Sequence, residues 1–307
     1  MKKPIVNSQG LNEAEFLKQY DVSKFERPSV TVDMLLFTVQ NTQAENYRKL
    51  PEKVLQVLMI KRGDHPFLGD WALPGGFVQM DESLEEAAIR ELQSETNVDN
   101  VYLEQLYTWG DPQRDPRTRV ISCSYMALVN SASLIVKAGD DAADAKWFTV
   151  KRSLLEQQKM MGPDGYVLTE LFELKLIAGG ETLRAKIRVT KTVEGKRSKT
   201  VAEIIENDGI AFDHAKIIDS AIKRLRNKVE YTDIAFNLMP EYFTLTELQQ
   251  VYEIILDTEL LKANFRRKIA GMVRETDRKT QEDGHRPAKY FRFNPDWEKH
   301  ALEGGTI

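Results

Sequence analysis

Gly76-Phe77-Val78-Gln79-Met80-Asp81-Glu82, seven further residues, then Arg90-Glu91-Leu92-Gln93-Ser94-Glu95-Thr96-Asn97-Val98 is the stretch that decides how this chain is read. Over 83–95 the apolar residues Leu84, Ala87, Ala88, Ile89 and Leu92 recur at helical spacing against a charged face, which predicts an amphipathic helix. At 3.6 residues per turn Glu91 and Glu95 fall on one face, a turn apart. Two carboxylates so placed repel unless a cation lies between them. Hard oxygen ligands of this kind suit Mg2+ or Mn2+, which keep their waters and bridge to phosphate oxygens. Gly75-Gly76 lets the backbone approach closely, so the Gly75 carbonyl is a further candidate ligand. The alternative is an exposed acidic helix whose charges are merely solvated.

Outward from the helix, β-branched and aromatic runs at 30–39 and 54–60 predict two strands before it, and 63–76 reads as loop. Strands follow at 102–109, 120–129 and 146–150. With a strand, a glycine-rich loop and a helix in this order, the stretch resembles the Nudix box of Nudix hydrolases, which cleave a nucleoside diphosphate linked to another group. The resemblance implies an α/β/α sandwich with a mixed sheet. It also implies catalytic roles for Glu82, Glu91 and Glu95, and Mg2+ (or Mn2+) held by Gly75, Glu91 and Glu95. Two positions depart from the pattern. Asn97 stands where the family has Gly, a mild change because Asn tolerates a left-handed helix terminus. Ser94 stands where the family has the first glutamate of a pair, and a hydroxyl supplies no negative charge. The resemblance therefore implies weakened hydrolysis.

Residues 107–120 look like the loop of ADP-ribose-type Nudix domains. Arg114, Arg117 and Arg119 offer guanidinium groups for phosphates, and Tyr107 or Trp109 a ring to stack on a base. The other reading is a polar hairpin whose arginines pair with Asp111 and Asp115. Arg62, Tyr107, Trp109, Arg114 and Arg117 make up the candidate ligand-binding set. Acidic residues over 140–144 offer a catalytic base without singling one out.

From residue 172 the pattern changes. Three strands are expected at 172–177, 182–193 and 199–205, with a hairpin signal at Gly179-Gly180. After Asn207-Asp208-Gly209 the chain turns helical, at 214–229, 245–256 and 261–272. Thr244 and Glu247 form a capping box that starts the second of these helices. In Asn264-Phe265-Arg266-Arg267-Lys268-Ile269, Phe265 and Ile269 share a face that can anchor a helix, leaving the three bases on the remaining surface. Two extended pieces at 272–276 and 289–293 follow, joined by a polar loop. Helix, turn, basic helix and hairpin is the order of a winged helix-turn-helix.

Composition excludes several classes. The 307 residues are 42% hydrophobic and 29% charged, ordinary for a globular chain of about two domains. The single cysteine, Cys123, lies in an apolar strand and excludes a disulfide framework. No apolar run is long enough to span a membrane, and no signal peptide opens the chain, so a cytoplasmic protein without membrane contact is expected. The net charge of −4 argues against nucleic acid until it is divided. Over 262–292 ten basic residues face four acidic ones, a net +6, which leaves −10 for the rest. Such a run is otherwise a solvated face or a dimerisation surface.

The combination resembles the NrtR-type regulators, Nudix-related repressors, strongest at Arg27-Pro28-Ser29-Val30-Thr31-Val32-Asp33, Trp71-Ala72-Leu73-Pro74-Gly75-Gly76-Phe77, Arg224-Leu225-Arg226-Asn227-Lys228 and Asn264-Phe265-Arg266-Arg267-Lys268. It implies an α+β protein: an N-terminal extension (1–26), a Nudix domain (27–208) with extra strands in 160–206, and a winged-helix DNA-binding domain (209–307). The added strands either extend a sheet or contact a partner. The implied partners are a nucleoside diphosphate sugar such as ADP-ribose, double-stranded operator DNA and a second copy of the chain. Asn264, Arg266, Arg267, Lys268, Arg286 and Lys289 are the candidate DNA contacts. The alternative from the same resemblance is a Mg2+-dependent pyrophosphohydrolase.

Overall fold

The computed structural model describes residues 6–42, 51–96, 101–130, 142–280 and 287–297. The fold is organised around β1 (Ser29–Asn41), whose side chains are apolar on both faces. Val32, Met34 and Leu36 pack on one side against Ala87, Ala88 and Leu92. Leu35, Phe37 and Val39 pack on the other into the main core. A strand buried on both faces needs a layer over each, and fully burying an aliphatic side chain is worth about 2 kcal/mol.

On either side of β1 lie β2 (Lys53–Arg62) and β6 (Val120–Leu128), with β5 (Tyr102–Trp109) at the edge beyond β6. The short strands β3 (Trp71–Ala72) and β4 (Gly75–Phe77) pair with β2 and β1, so part of the expected 63–76 loop is ordered as strand. The β1–β6 pairing is parallel and the others antiparallel, giving the mixed sheet expected. One face carries α2 (Leu84–Thr96), where Ser83 and Glu86 form a capping box. The opposite face carries α3 (His214–Val229).

The strands expected at 146–150 and 172–205 are longer than the sequence implied. They run as β7 (Ala142–Gly162), β8 (Gly165–Ala178), β9 (Glu181–Glu194) and β10 (Arg197–Asp208). Their outer halves are exposed and held by ladder hydrogen bonds with neighbouring strands, so no apolar alternation marks them. These strands extend the sheet through β2. The hairpin at Gly179-Gly180 forms with both glycines at positive φ.

The N-terminal extension contains α1 (Glu13–Gln19), capped by Asn12 and Glu15. It buries no residue, so it leaves no periodic apolar signal. In the C-terminal part α4 (Leu245–Leu256), α5 (Lys262–Ile269) and the hairpin β11 (Val273–Lys279) with β12 (Lys289–Phe293) form the expected winged helix. Its core is continuous with the main one, which runs from Leu35 through Ile218 and Leu225 to Tyr252, Phe265 and Ile269. No helix among the described residues is long and apolar enough to cross a membrane.

Candidate functional site

A cavity of about 900 Å³ opens where β1, the β3–β4 turn, α2, the 110–119 loop and the segment before α3 converge. Gly76 lets the Glu91 carboxylate sit against the backbone of its wall: a Cβ there would collide with it. Glu91 lines the cavity, with Oε1 2.5 Å from Arg90 Nη1. Arg90 also donates from Nε and Nη2 to Glu82, at 2.9 and 2.7 Å. The bond from Arg90 and that from the Gln79 N–H hold the Glu82 carboxyl down at about 2. Both Glu82 oxygens are thus committed to positioning Arg90 and the loop. Ser94 lines the cavity, but its hydroxyl donates back to the Glu91 carbonyl at 2.9 Å.

A second ionic cluster closes the base of the cavity. Arg114, 5% exposed, bridges Asp213 (Nε–Oδ2 3.2 Å, Nη2–Oδ1 2.8 Å) and Asp33 (Nη2–Oδ2 3.1 Å). Burial works against its charge, yet Asp213 and Asp33 more than compensate and leave its pKa above the ordinary value. Ser122 Oγ donates to Asp33 at 2.6 Å. His214, fully enclosed, accepts the Leu73 N–H at Nδ1 (2.9 Å), and burial pushes its pKa below the ordinary value. Arg114 also lines the cavity, and its bonds to both carboxylates make it a buried cross-brace between β1 and the start of α3.

The other candidate ligand residues divide. Arg62 and Arg117 both line the cavity. Burial, then the charge of Arg117, lowers the Arg62 pKa, as expected of two cations facing one space. Arg117 is 44% exposed and pairs with Asp115 at 2.8 Å, as the hairpin reading required. Tyr107 and Trp109 do not line the cavity. They stack edge-on with each other at 4.8 Å, and Trp109 Nε1 donates to Ser124 at 2.9 Å. A bulge between Gln105 and Tyr107 interrupts the alternation of β5, and Trp109 packs against the core. The aromatic walls are instead Phe77 and Phe212. Phe77 was legible as part of the glycine-rich loop. Phe212, Asp213 and His214 were missed because the residues after Gly209 read as a domain break, and Asp33 because it lies inside an otherwise apolar strand.

Glu82 is engaged by Arg90, Ser94 carries no charge, and among the described residues no group of three metal-ligating side chains gathers. The side chain of Glu95, with Asn97, Arg286, Asp140 and Asp141, lies outside the described residues.

The second candidate surface is α5 with its wing. Phe265 and Ile269 are buried, Phe265 edge-on to Tyr252 at 5.2 Å, as their spacing predicted. Asn264, Arg266, Arg267 and Lys268 are exposed, with Arg267 donating to Asn264 at 3.2 Å. On the wing Lys289 pairs with Glu275 and remains half exposed. The arrangement presents basic side chains on a helix end and hairpin, the geometry of a phosphate-contacting surface.

Two family descriptions match the chain: a NUDIX domain over 49–172 and an NrtR DNA-binding winged helix domain over 235–293. The chain is 33% identical over 286 residues to the ADPR responsive transcriptional repressor NtrR of Acinetobacter baylyi, covering 92% of this chain and 88% of that one. Among solved structures it resembles a MutT/nudix family protein from Enterococcus faecalis (29% identity, TM-score 0.63), covering 92% of this chain and 94% of that one. It also resembles Shewanella oneidensis NrtR in complex with a 27mer DNA (27% identity, TM-score 0.56), covering 88% and 95%.

Proposed function

The chain belongs to the NrtR family of Nudix-related transcriptional repressors, and on that premise we propose that its Nudix domain binds ADP-ribose or a related nucleoside diphosphate derivative while its winged helix binds operator DNA. The observation that carries this reading is the cavity itself, which sets two cations, Arg62 and Arg117, beside the aromatic walls Phe77 and Phe212. A diphosphate needs the first pair and a planar base the second. On the DNA side, Asn264, Arg266, Arg267 and Lys268 enter the groove from α5, Lys289 reaches the backbone from the wing, and Arg286 stays a candidate contact on its sequence position. Two copies reading two half-sites give the natural geometry for such a module. A repressor works where the chromosome is, which makes the protein cytoplasmic.

The pyrophosphohydrolase reading rests on Glu91, the box carboxylate that lines the cavity among the described residues. It is the weaker reading, because neither Glu82 nor Ser94 is disposed to share a cation with it. Glu91 and Arg90 hold the loop, and Arg62 and Arg117 hold the ligand's phosphates. The test is fluorescence anisotropy of labelled DNA from the protein's own upstream region, titrated with protein at several salt concentrations and then with ADP-ribose. Affinity that falls steeply with salt and changes with ADP-ribose is expected. Salt-independent or absent binding refutes the DNA assignment, and an unchanged curve with ADP-ribose refutes the ligand.

A further inference from the structure

Phe212 occupies an unusual place. Its φ is +53°, a left-handed conformation rare for a bulky side chain. The backbone on both sides of it is tied down. Before it, the Trp71 N–H donates to Gly209 O at 2.9 Å and the Ala211 N–H to Trp71 O at 2.8 Å. After it, the Leu73 N–H donates to His214 Nδ1, and Asp213 holds Arg114. Between these anchors only the residue at 212 is turned out to line the cavity. Its ring meets Phe67, itself at φ +63°, with centroids 4.7 Å apart, and His214 at 5.2 Å. The Arg62 and Arg117 guanidinium groups stand over it at 5.0 and 6.0 Å. Strain held in place by neighbours on every side is a mark of a functional position.

The segment also leads somewhere. Two residues later α3 begins, and its last turn is clamped to the end of α4. Arg226 donates from Nε to the Ile255 carbonyl at 3.0 Å and from Nη2 to Asp257 at 3.1 Å. Asp257 is the left-handed cap that ends α4, five residues before α5 starts. A continuous bonded path thus joins the cavity wall at Phe212 to the helix that carries the basic residues.

We propose that Phe212 is the ligand-contacting residue that couples the cavity to the winged helix: a planar base stacks on its ring, and the displaced backbone passes the movement to α3. The inference rests on the reading of the cavity as a nucleoside diphosphate site and names the residue within it that does the sensing. The base and the diphosphate are read by one stack, since the arginines that meet the phosphates are those that stand over the ring. A ligand without a base engages the arginines and leaves Phe212 unmoved.

The test uses full-length protein, with Phe212→Ala and Phe212→Leu, the latter keeping apolar bulk without a ring; thermal unfolding confirms that each variant folds. Calorimetry gives affinities for ADP-ribose and for base-less ribose 5-phosphate. Anisotropy gives the ratio of DNA affinities with and without saturating ADP-ribose. Both variants are expected to lose at least tenfold in ADP-ribose affinity and little for ribose 5-phosphate, with the DNA ratio collapsing toward one. Wild-type ADP-ribose affinity in both variants overturns the inference alone. A full DNA ratio at saturation overturns the coupling. Wild-type protein that binds neither compound removes the reading of the cavity and the inference with it.

Discussion

Replacing Arg114 by Met separates a structural arginine from a phosphate-binding one. The side chain is 5% exposed and makes three hydrogen bonds to two buried carboxylates, Asp33 and Asp213. Removing one member of a buried ionic group leaves uncompensated charge and costs about 3–5 kcal/mol. Here the cation leaves two carboxylates facing each other, with Ser122 alone still donating to Asp33 among the bonds described, so the upper part of that range applies. For a chain of this size the melting temperature falls on the order of 10 °C. The fall is read by thermal unfolding monitored by circular dichroism. Arg114→Lys, which cannot bridge both partners in the same plane, falls between. A variant with the wild-type melting temperature but no ADP-ribose binding refutes the reasoning and restores Arg114 to the ligand set.

Ser94→Glu returns a carboxylate to the cavity wall beside Glu91, and Mg2+-dependent release of AMP from ADP-ribose is expected to rise at least tenfold; no gain shows that another feature limits hydrolysis. Arg267→Ala weakens operator binding and lowers the slope of log affinity against log salt by about one, measured by anisotropy. His214 is held neutral by burial below its ordinary pKa, so the unfolded chain binds its proton first as pH falls. The stability it contributes is full above about pH 6.5 and is lost toward pH 5, with a slope of at most about 1.4 kcal/mol per pH unit that His214→Gln flattens in urea unfolding. A wild-type curve that is flat over this interval contradicts the burial argument.

What the sequence revealed, it revealed through periodicity and spacing. The apolar positions of α2, the capping box of Thr244 and Glu247, and the Phe265–Ile269 anchor are local signals, and each appears in the structure where the pattern put it. The outer halves of β7–β10 carried no such signal, because their stability comes from neighbouring strands. The site failed to show for a different reason. Asp33, Arg114, Asp213 and His214 lie on β1, a loop and the start of α3, and nothing local marks residues 81 and 99 positions apart as partners. Tyr107 and Trp109 were the reasonable aromatics until a one-residue bulge altered which way β5 turns its side chains.

The added strands gain their meaning from α3. That helix lies across the sheet: Asp219 meets Arg152 of β7 at 2.6 Å, while Arg224 and Lys228 meet Glu104 of β5 at 3.1 and 2.6 Å. Its underside packs on Leu174, Leu176, Ala185 and Ile187, which β8 and β9 supply. The ionic ties along its length make it hard to bend, so a movement imposed at its first turn is carried as a displacement of the whole element. Asp213 and His214 tie that first turn to the cavity wall, and Arg226 ties the last turn to α4. The strands beyond β2 thus give α3 a continuous apolar surface to lie on, which the sheet without them lacks.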